Sequence, residues 1–176
     1  ISGNLHFDPH HTGSQTMPFS RSVYDIKSGT SPEAPREQLN EITGWIDASN
    51  VYGSDHERAS ALRENDGSGR LRMSTGRLLP FNDSGLPNAG GSGDHLFLAG
   101  DVRSNEQVGL TALHTVFVRE HNRLARMIAR RGNLSGDEIY ERARRIVGAQ
   151  IQAITYEEFL PALLGDDALR RYKGYN

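Results

Sequence analysis

Apolar residues keep a helical rhythm only in the second half of the chain. From Leu110 they recur at 113, 117, 124, 127 and 128, steps that return to one face of a helix. Ser104 with Gln107 three residues on predicts a start near Asn105, and Gly132-Asn133 ends the run. A second long helix is predicted after Ser135, capped with Glu138 in the same way. Its stripe is Ile139, Ala143, Ile146, Val147, Gln150, Ile151 and Ile154, and Pro161 stops it or starts a further short turn.

No such period holds before Gly100, where most of the 19 glycines and 7 prolines fall. Residues 1–35 read as an extended, irregular arm. Residues 36–64 read as a helical or turn segment leading through an oxygen-rich loop into a short helix. That helix runs to about Leu62, with Ser54 as cap and Glu57 three residues on. Residues 65–97 read as loops with room for one hairpin around Leu78-Leu-Pro-Phe81, and 98–176 as the long helix and those that follow. The class is therefore mainly α, two long helices behind a loop-rich N-terminal half. No repeat and no second domain is visible.

At 176 residues, 36% of them hydrophobic, the chain is less apolar than an ordinary domain, as expected of a piece that completes its core against other segments. A net charge of -2 gives no electrostatic case for nucleic acid or an anionic membrane. No run of about 18 apolar residues offers a membrane span. The absence of cysteine removes disulfides, zinc–thiolate and iron–sulfur sites, and thiolate ligation of haem. Opening at Ile1, without an initiator Met or a signal-like stretch, the chain reads as lacking upstream sequence. Lysine occurs only at 27 and 173, and the arginine excess hints at a GC-rich bacterial source.

Histidine patterns give no metalloenzyme. His114 and His121 are seven residues apart, so about 10.5 Å separates them along a helix. That is too far for one zinc, which binds nitrogen at about 2.1 Å. Both read as core hydrogen-bonding groups, and a zinc hydrolase is set aside. His6, His10 and His11, with Asp8, read as a solvated arm rather than a metal cluster. Asn82-Asp-Ser84 and Asn133-Leu-Ser135 match the glycosylation sequon. The arginines of 119–145 alternate with Glu120, Asp137, Glu138 and Glu141, as on a salt-bridged helix surface.

Two features carry candidate chemistry. Arg103 stands just before the first long helix, and Glu106 falls in its predicted first turn. There a permanent guanidinium and an ionised carboxylate near the positive helix end suit a charge-handling pocket. By spacing alone, a plain capping ion pair is the simpler reading. The second feature is Thr43-Gly-Trp-Ile-Asp-Ala-Ser49, which offers Thr43, the Trp45 carbonyl, Asp47 and Ser49 as alternating oxygen donors suited to Ca2+. It is not an EF-hand, since Gly53 is seventh from Asp47 and no glutamate is twelfth. By itself it reads first as a capped turn and second as a metal loop.

The run Leu98-Ala-Gly-Asp-Val-Arg-Ser-Asn-Glu-Gln107, continued by His114 and by Arg119-Glu-His-Asn-Arg-Leu-Ala125, resembles the distal-side helix of the animal-type haem peroxidases. Arg36 to Ser54 is similar to that family's calcium segment in order and spacing. The resemblance extends over roughly 17–165 and implies the central fragment of a single peroxidase catalytic domain. It implies haem b, hydrogen peroxide as oxidant, and halides, thiocyanate or phenols as the small reductant. Arg103 then corresponds to the distal arginine, which could stabilise charge as the O–O bond breaks. Glu106 corresponds to the glutamate that forms a haem ester. Gln107 stands beside the haem where some members carry a methionine that adds a sulfonium link, so that third link is not implied. Thr43, Trp45, Asp47 and Ser49 correspond to calcium donors. In the family they are joined by an aspartate expected upstream of Ile1, so the site should be weak here.

The resemblance also implies a secreted or extracellular setting. The remainder of the peroxidase domain becomes a partner, because the distal histidine belongs upstream and the proximal histidine downstream. None of the seven histidines matches either role. A calcium-stabilised, non-catalytic binding or matrix module built on the same fold is the alternative. On this reading the polypeptide by itself neither holds haem covalently nor turns over peroxide. A Soret band together with guaiacol oxidation from it would refute that.

Overall fold

A computed structural model describes residues 6–16 and 22–165. They fall into two compact units, one ending at Glu41 and the other beginning at Ile42. In the first, Asp8 accepts hydrogen bonds from the Thr12 amide and hydroxyl, each at 3.0 Å, and from the Gly13 amide at 2.7 Å. The Gly13 amide does most to hold this carboxyl below its usual range. Residues 23–39 fold back on themselves, where the sequence predicts an extended arm up to residue 35. The Asp25 amide donates to the Glu37 carbonyl (2.9 Å) and the Leu39 amide to the Val23 carbonyl (3.3 Å). A turn over Ser31-Pro-Glu-Ala34 reverses the chain, with proline at the position where its fixed φ fits. The Arg36 guanidinium covers the Tyr24 ring at 4.6 Å.

The second unit is helical, as expected. It contains α1 (Ser49–Tyr52), α2 (His56–Ala61), α3 (Val108–Ala129), α4 (Gly136–Ala153) and α5 (Leu160–Leu164), with a π-helical stretch, Ile154–Phe159, joining the last two. Where a hairpin has room to form, the described residues hold only isolated bridges, such as Arg63 with Leu71 and Phe81 with Phe97.

Helix starts show which local signals win. At α4 the Ser135 hydroxyl accepts from the Glu138 amide (3.2 Å), and the Glu138 carboxylate accepts from the Ser135 amide (2.8 Å). That is the expected reciprocal cap. At α2 the cap is Asp55, one residue later than Ser54. Its carboxylate accepts from the Arg58 amide at 2.8 Å and carries the charge that the helix dipole favours. At α3 the helix begins at Val108, not near Asn105, and Gln107 caps it by accepting from the Gly109 amide at 2.6 Å. Ser104 is fully buried, and its carbonyl accepts from the Thr111 hydroxyl at 2.6 Å. Asn105 is committed to Phe97, accepting from its amide (2.9 Å) and donating to its carbonyl (2.8 Å). Glu106 therefore lies in the turn before α3, outside its first turn. Pro161 falls in the opening turn of α5, where its missing N–H leaves no bond unmade.

The core forms between α3 and α4 and the loops laid against them, from Val51, Tyr52, Leu62, Leu71, Leu79, Leu98, Val118, Ala125, Ala143 and Val147. The face α3 buries is not its most apolar one. Leu113 is 58% exposed, while His114, Val118, His121, Asn122 and Ala125 are inside. Hydrogen bonds decide this. Asn122 accepts from the Leu71 amide and donates to the Leu71 carbonyl, both at 2.8 Å, as a neighbouring strand would. His121 bridges the Gly69 carbonyl (Nε2, 2.9 Å) and the Tyr52 hydroxyl (Nδ1, 2.8 Å). Because a carbonyl only accepts, Nε2 carries the proton and Nδ1 accepts from Tyr52.

Burial pushes the His121 pKa down from 6.5 to about 4. The native state holds this ring neutral, whereas the unfolded chain protonates it near 6.5. Stability should therefore fall as pH drops from about 6.5 to about 4, by up to about 3 kcal/mol from this group. Urea unfolding across that range should show the decline, and His121→Gln should flatten part of it. An equally steep decline in the variant would show that the ring is not its source.

Candidate active site

The segment that carries Arg103 is held from several sides before α3 begins. The Leu98 amide donates to the Pro80 carbonyl at 2.8 Å, and the Asp101 amide to the Asn50 carbonyl at 3.2 Å. Arg58, buried under the segment, donates to the carbonyls of Ala99 (2.9 Å) and Pro87 and to the Asn88 side chain (3.3 Å). Burial lowers its pKa, yet a guanidinium stays charged at any ordinary pH. Gly100 sits on α1 itself, where a Cβ would meet the Ser49 carbonyl oxygen at 2.2 Å and the Gly53 amide nitrogen at 2.6 Å.

From this platform Asp101 takes Arg103 side-on. Oδ1 accepts from the Arg103 amide (2.8 Å) and from Nε (2.9 Å), and Oδ2 accepts from Nη2 (2.7 Å). The Asp101 side chain is 12% exposed and that of Arg103 54%. The pair keeps the Asp101 carboxyl below the usual carboxylate range and raises the arginine further. Glu106 is exposed, and its amide donates to the Arg103 carbonyl at 2.9 Å, closing a turn. Its charge adds to the field that favours the Arg103 cation. Gln107 is also exposed, with its side-chain oxygen engaged as the helix cap. Val102 and Val108 flank the group with exposed apolar surface. The sequence-predicted Arg103, Glu106 and Gln107 thus lie on one short surface turn.

The oxygen-rich loop leads straight into α1. Thr43 Oγ1 accepts from the Trp45 amide and Asp47 Oδ1 from the Ser49 amide, each at 3.0 Å. The Ile46 carbonyl accepts from Gln152 at 2.7 Å, tying the loop to the end of α4. Ala48, buried, takes a left-handed conformation at the bend. Asp47 opens on a groove shared with Glu141, Arg144 and Arg145. Among the described residues no group of three or more His, Cys, Asp or Glu side chains could hold a metal ion.

Sequence reasoning gave no role to two residues of this region. Asp101 stands inside the quoted run, and its spacing of two from Arg103 is the only available signal. Arg58 gave none, because all its acceptors are distant in sequence. Asn82, in one of the two sequons, is buried with its amide closed on Leu86, donating at 2.8 Å and accepting at 3.0 Å. No sugar could be attached there.

Residues 4–176 match the family described as animal haem peroxidase. A human peroxidasin homolog is 42% identical over 94% of this chain, which spans 12% of that protein. A mouse eosinophil peroxidase is 44% identical over 80% of the chain, spanning 22% of that protein. Among solved structures, peroxidase A from Dictyostelium discoideum superposes with a TM-score of 0.78 at 31% identity. That match covers 97% of this chain and 36% of the other.

The Gly100 contact generates a direct test. Gly100→Ala should lower stability by about 2 kcal/mol or more, because the clash is with backbone that cannot rotate away. Denaturant midpoints would measure it. A change within about 0.5 kcal/mol would mean the segment is not pressed onto α1.

Proposed function

Because the chain belongs to the animal haem peroxidase family, we propose that it forms part of the distal side of a haem peroxidase. That enzyme uses hydrogen peroxide to oxidise halides, thiocyanate or phenols. The observation carrying this reading is Arg103 itself, a permanent cation fixed by Asp101 and still half open to its surroundings. The residues around it suit haem b. Val102 and Val108 present uncovered apolar surface, and the Glu106 carboxylate makes no ion pair among the described residues. Glu106 is the group we assign to an ester with the haem, and Arg103 and Gln107 to its neighbourhood. Bound haem would supply the iron at which peroxide is activated.

The chain's own contribution is electrostatic. Arg103 favours negative charge on a peroxide oxygen, in the manner of an oxyanion hole. It cannot move the proton, since it holds its own at any working pH. Nor can His121 serve, for both its ring nitrogens are engaged inside the core. We assign the proton-moving and iron-binding histidines to other parts of the peroxidase domain. Thr43, the Trp45 carbonyl, Asp47 and Ser49 are our candidates for Ca2+. With one carboxylate among them they need a further acidic ligand to bind it firmly. Uncovered Val108, 85% exposed, and Val116 on α3 favour packing against that remainder. We place the enzyme in a secreted or extracellular setting.

Arg103→Lys in the haem-loaded, full-length gene product tests the reading. The second-order rate constant for peroxide should fall about 100-fold or more with the Soret band retained, because an ammonium cannot reproduce the fork. A rate within twofold of the unmodified enzyme would contradict it.

A further inference from the structure

We propose that Asp101 is a positioning residue for Arg103, fixing the plane and direction of the guanidinium that meets peroxide; this rests on the reading of Arg103 given above. Arginine side chains on a surface ordinarily sample many rotamers, and an exposed ion pair seldom holds one. Here the pairing is bidentate, within two residues, and anchored at its acidic end. Asp101 is nearly buried and its backbone is bonded to Asn50. A simple turn cap would need only Oδ1 on the Arg103 amide. The second oxygen, Oδ2, bonds Nη2 and has no part in that cap. With Nε and one N–H of Nη2 turned to Asp101, Nη1 and the outer N–H of Nη2 are left to face a ligand.

The helix that follows carries a buried polar side chain in its second turn. His114, on α3, is buried, and its Nδ1 donates to the Leu110 carbonyl at 2.7 Å. Its Nε2 is buried without a partner. Arg103 itself, through its side chain and its amide, does most to favour the ionised Asp101 carboxylate. Asp101 is thus anchored through its backbone to Asn50, and its nearly buried carboxylate presents its charge to a more exposed arginine.

Asp101→Asn separates the roles. Asparagine keeps one acceptor oxygen for the Arg103 amide and Nε, but places an amide N–H₂ against Nη2. In the haem-loaded, full-length protein, the rate constant for peroxide should fall about 10- to 100-fold. KM for the reductant should stay unchanged, and Asp101→Glu should recover part of the loss. Without haem, nuclear magnetic resonance of the full-length protein should show the Arg103 Nε–H, assigned by its disappearance in Arg103→Lys, protected from solvent exchange. That exchange should speed up about tenfold in Asp101→Asn if the fork is lost. An unchanged rate and unchanged protection, alongside an inactive Arg103→Lys, would overturn the positioning role and leave the peroxidase reading intact. An active Arg103→Lys would overturn the reading itself. If Asp101→Asn does not fold, Asp101→Glu carries the test, and an unprotected Nε–H with a full peroxide rate would refute the proposal.

Discussion

The backbone of Gly100 lies so close to α1 that one methyl group would stand 2.2 Å from the Ser49 carbonyl oxygen, and the chemical face of the second unit depends on that approach. The contact sets the height of the Ala99–Arg103 segment above the core. Asp101 then bonds Asn50 through its backbone and Arg103 through its side chain. The same short helix, α1, continues the oxygen-rich loop that ends at Ser49. The loop and the arginine thus share a foundation although they lie more than fifty residues apart in sequence. Distortion of the loop would reach Asp101 through packed backbone, and the guanidinium through the Asp101 carboxylate.

A second constraint holds the loop around Gly69 and Leu71 against α3. His121 and Asn122, adjacent on α3, take the backbone groups of Gly69 and Leu71, and Tyr52 from α1 closes the set. Irregular chain carries unpaired amides and carbonyls that cannot be buried unsatisfied. Polar side chains on α3 meet that need where strands would otherwise do so. The burial of two polar residues beside Val118 and Ala125 follows from it, as does the outward turn of Leu113.

These two constraints mark where the sequence is readable. The long helices and the Ser135–Glu138 cap are local events, set by residues three or four apart, and the sequence displays them. The position of Arg103 just ahead of α3 is legible for the same reason. The start of α3 is not. Ser104, Asn105 and Gln107 are all competent caps, and the choice falls to Gln107 because Asn105 is held by Phe97 and Ser104 by its burial. Contacts across the fold decided it, and Glu106 moved out of the helix in consequence. Arg58 escaped notice likewise, since its acceptors lie 29 to 41 residues away. The run around Arg103 resembles the family that residues 4–176 match, whereas the Asp101 fork is not legible in it, because any aspartate two residues before an arginine reads equally well as a turn.

The central claim is that Arg103 and Glu106 look onto the same cofactor. A crystal structure of the haem-loaded, full-length protein tests it most directly. The account predicts the guanidinium of Arg103 on the peroxide-binding side of the porphyrin, still forked to Asp101, with the Glu106 carboxylate at the porphyrin edge. Haem bound elsewhere, with both side chains facing open solvent, would contradict it.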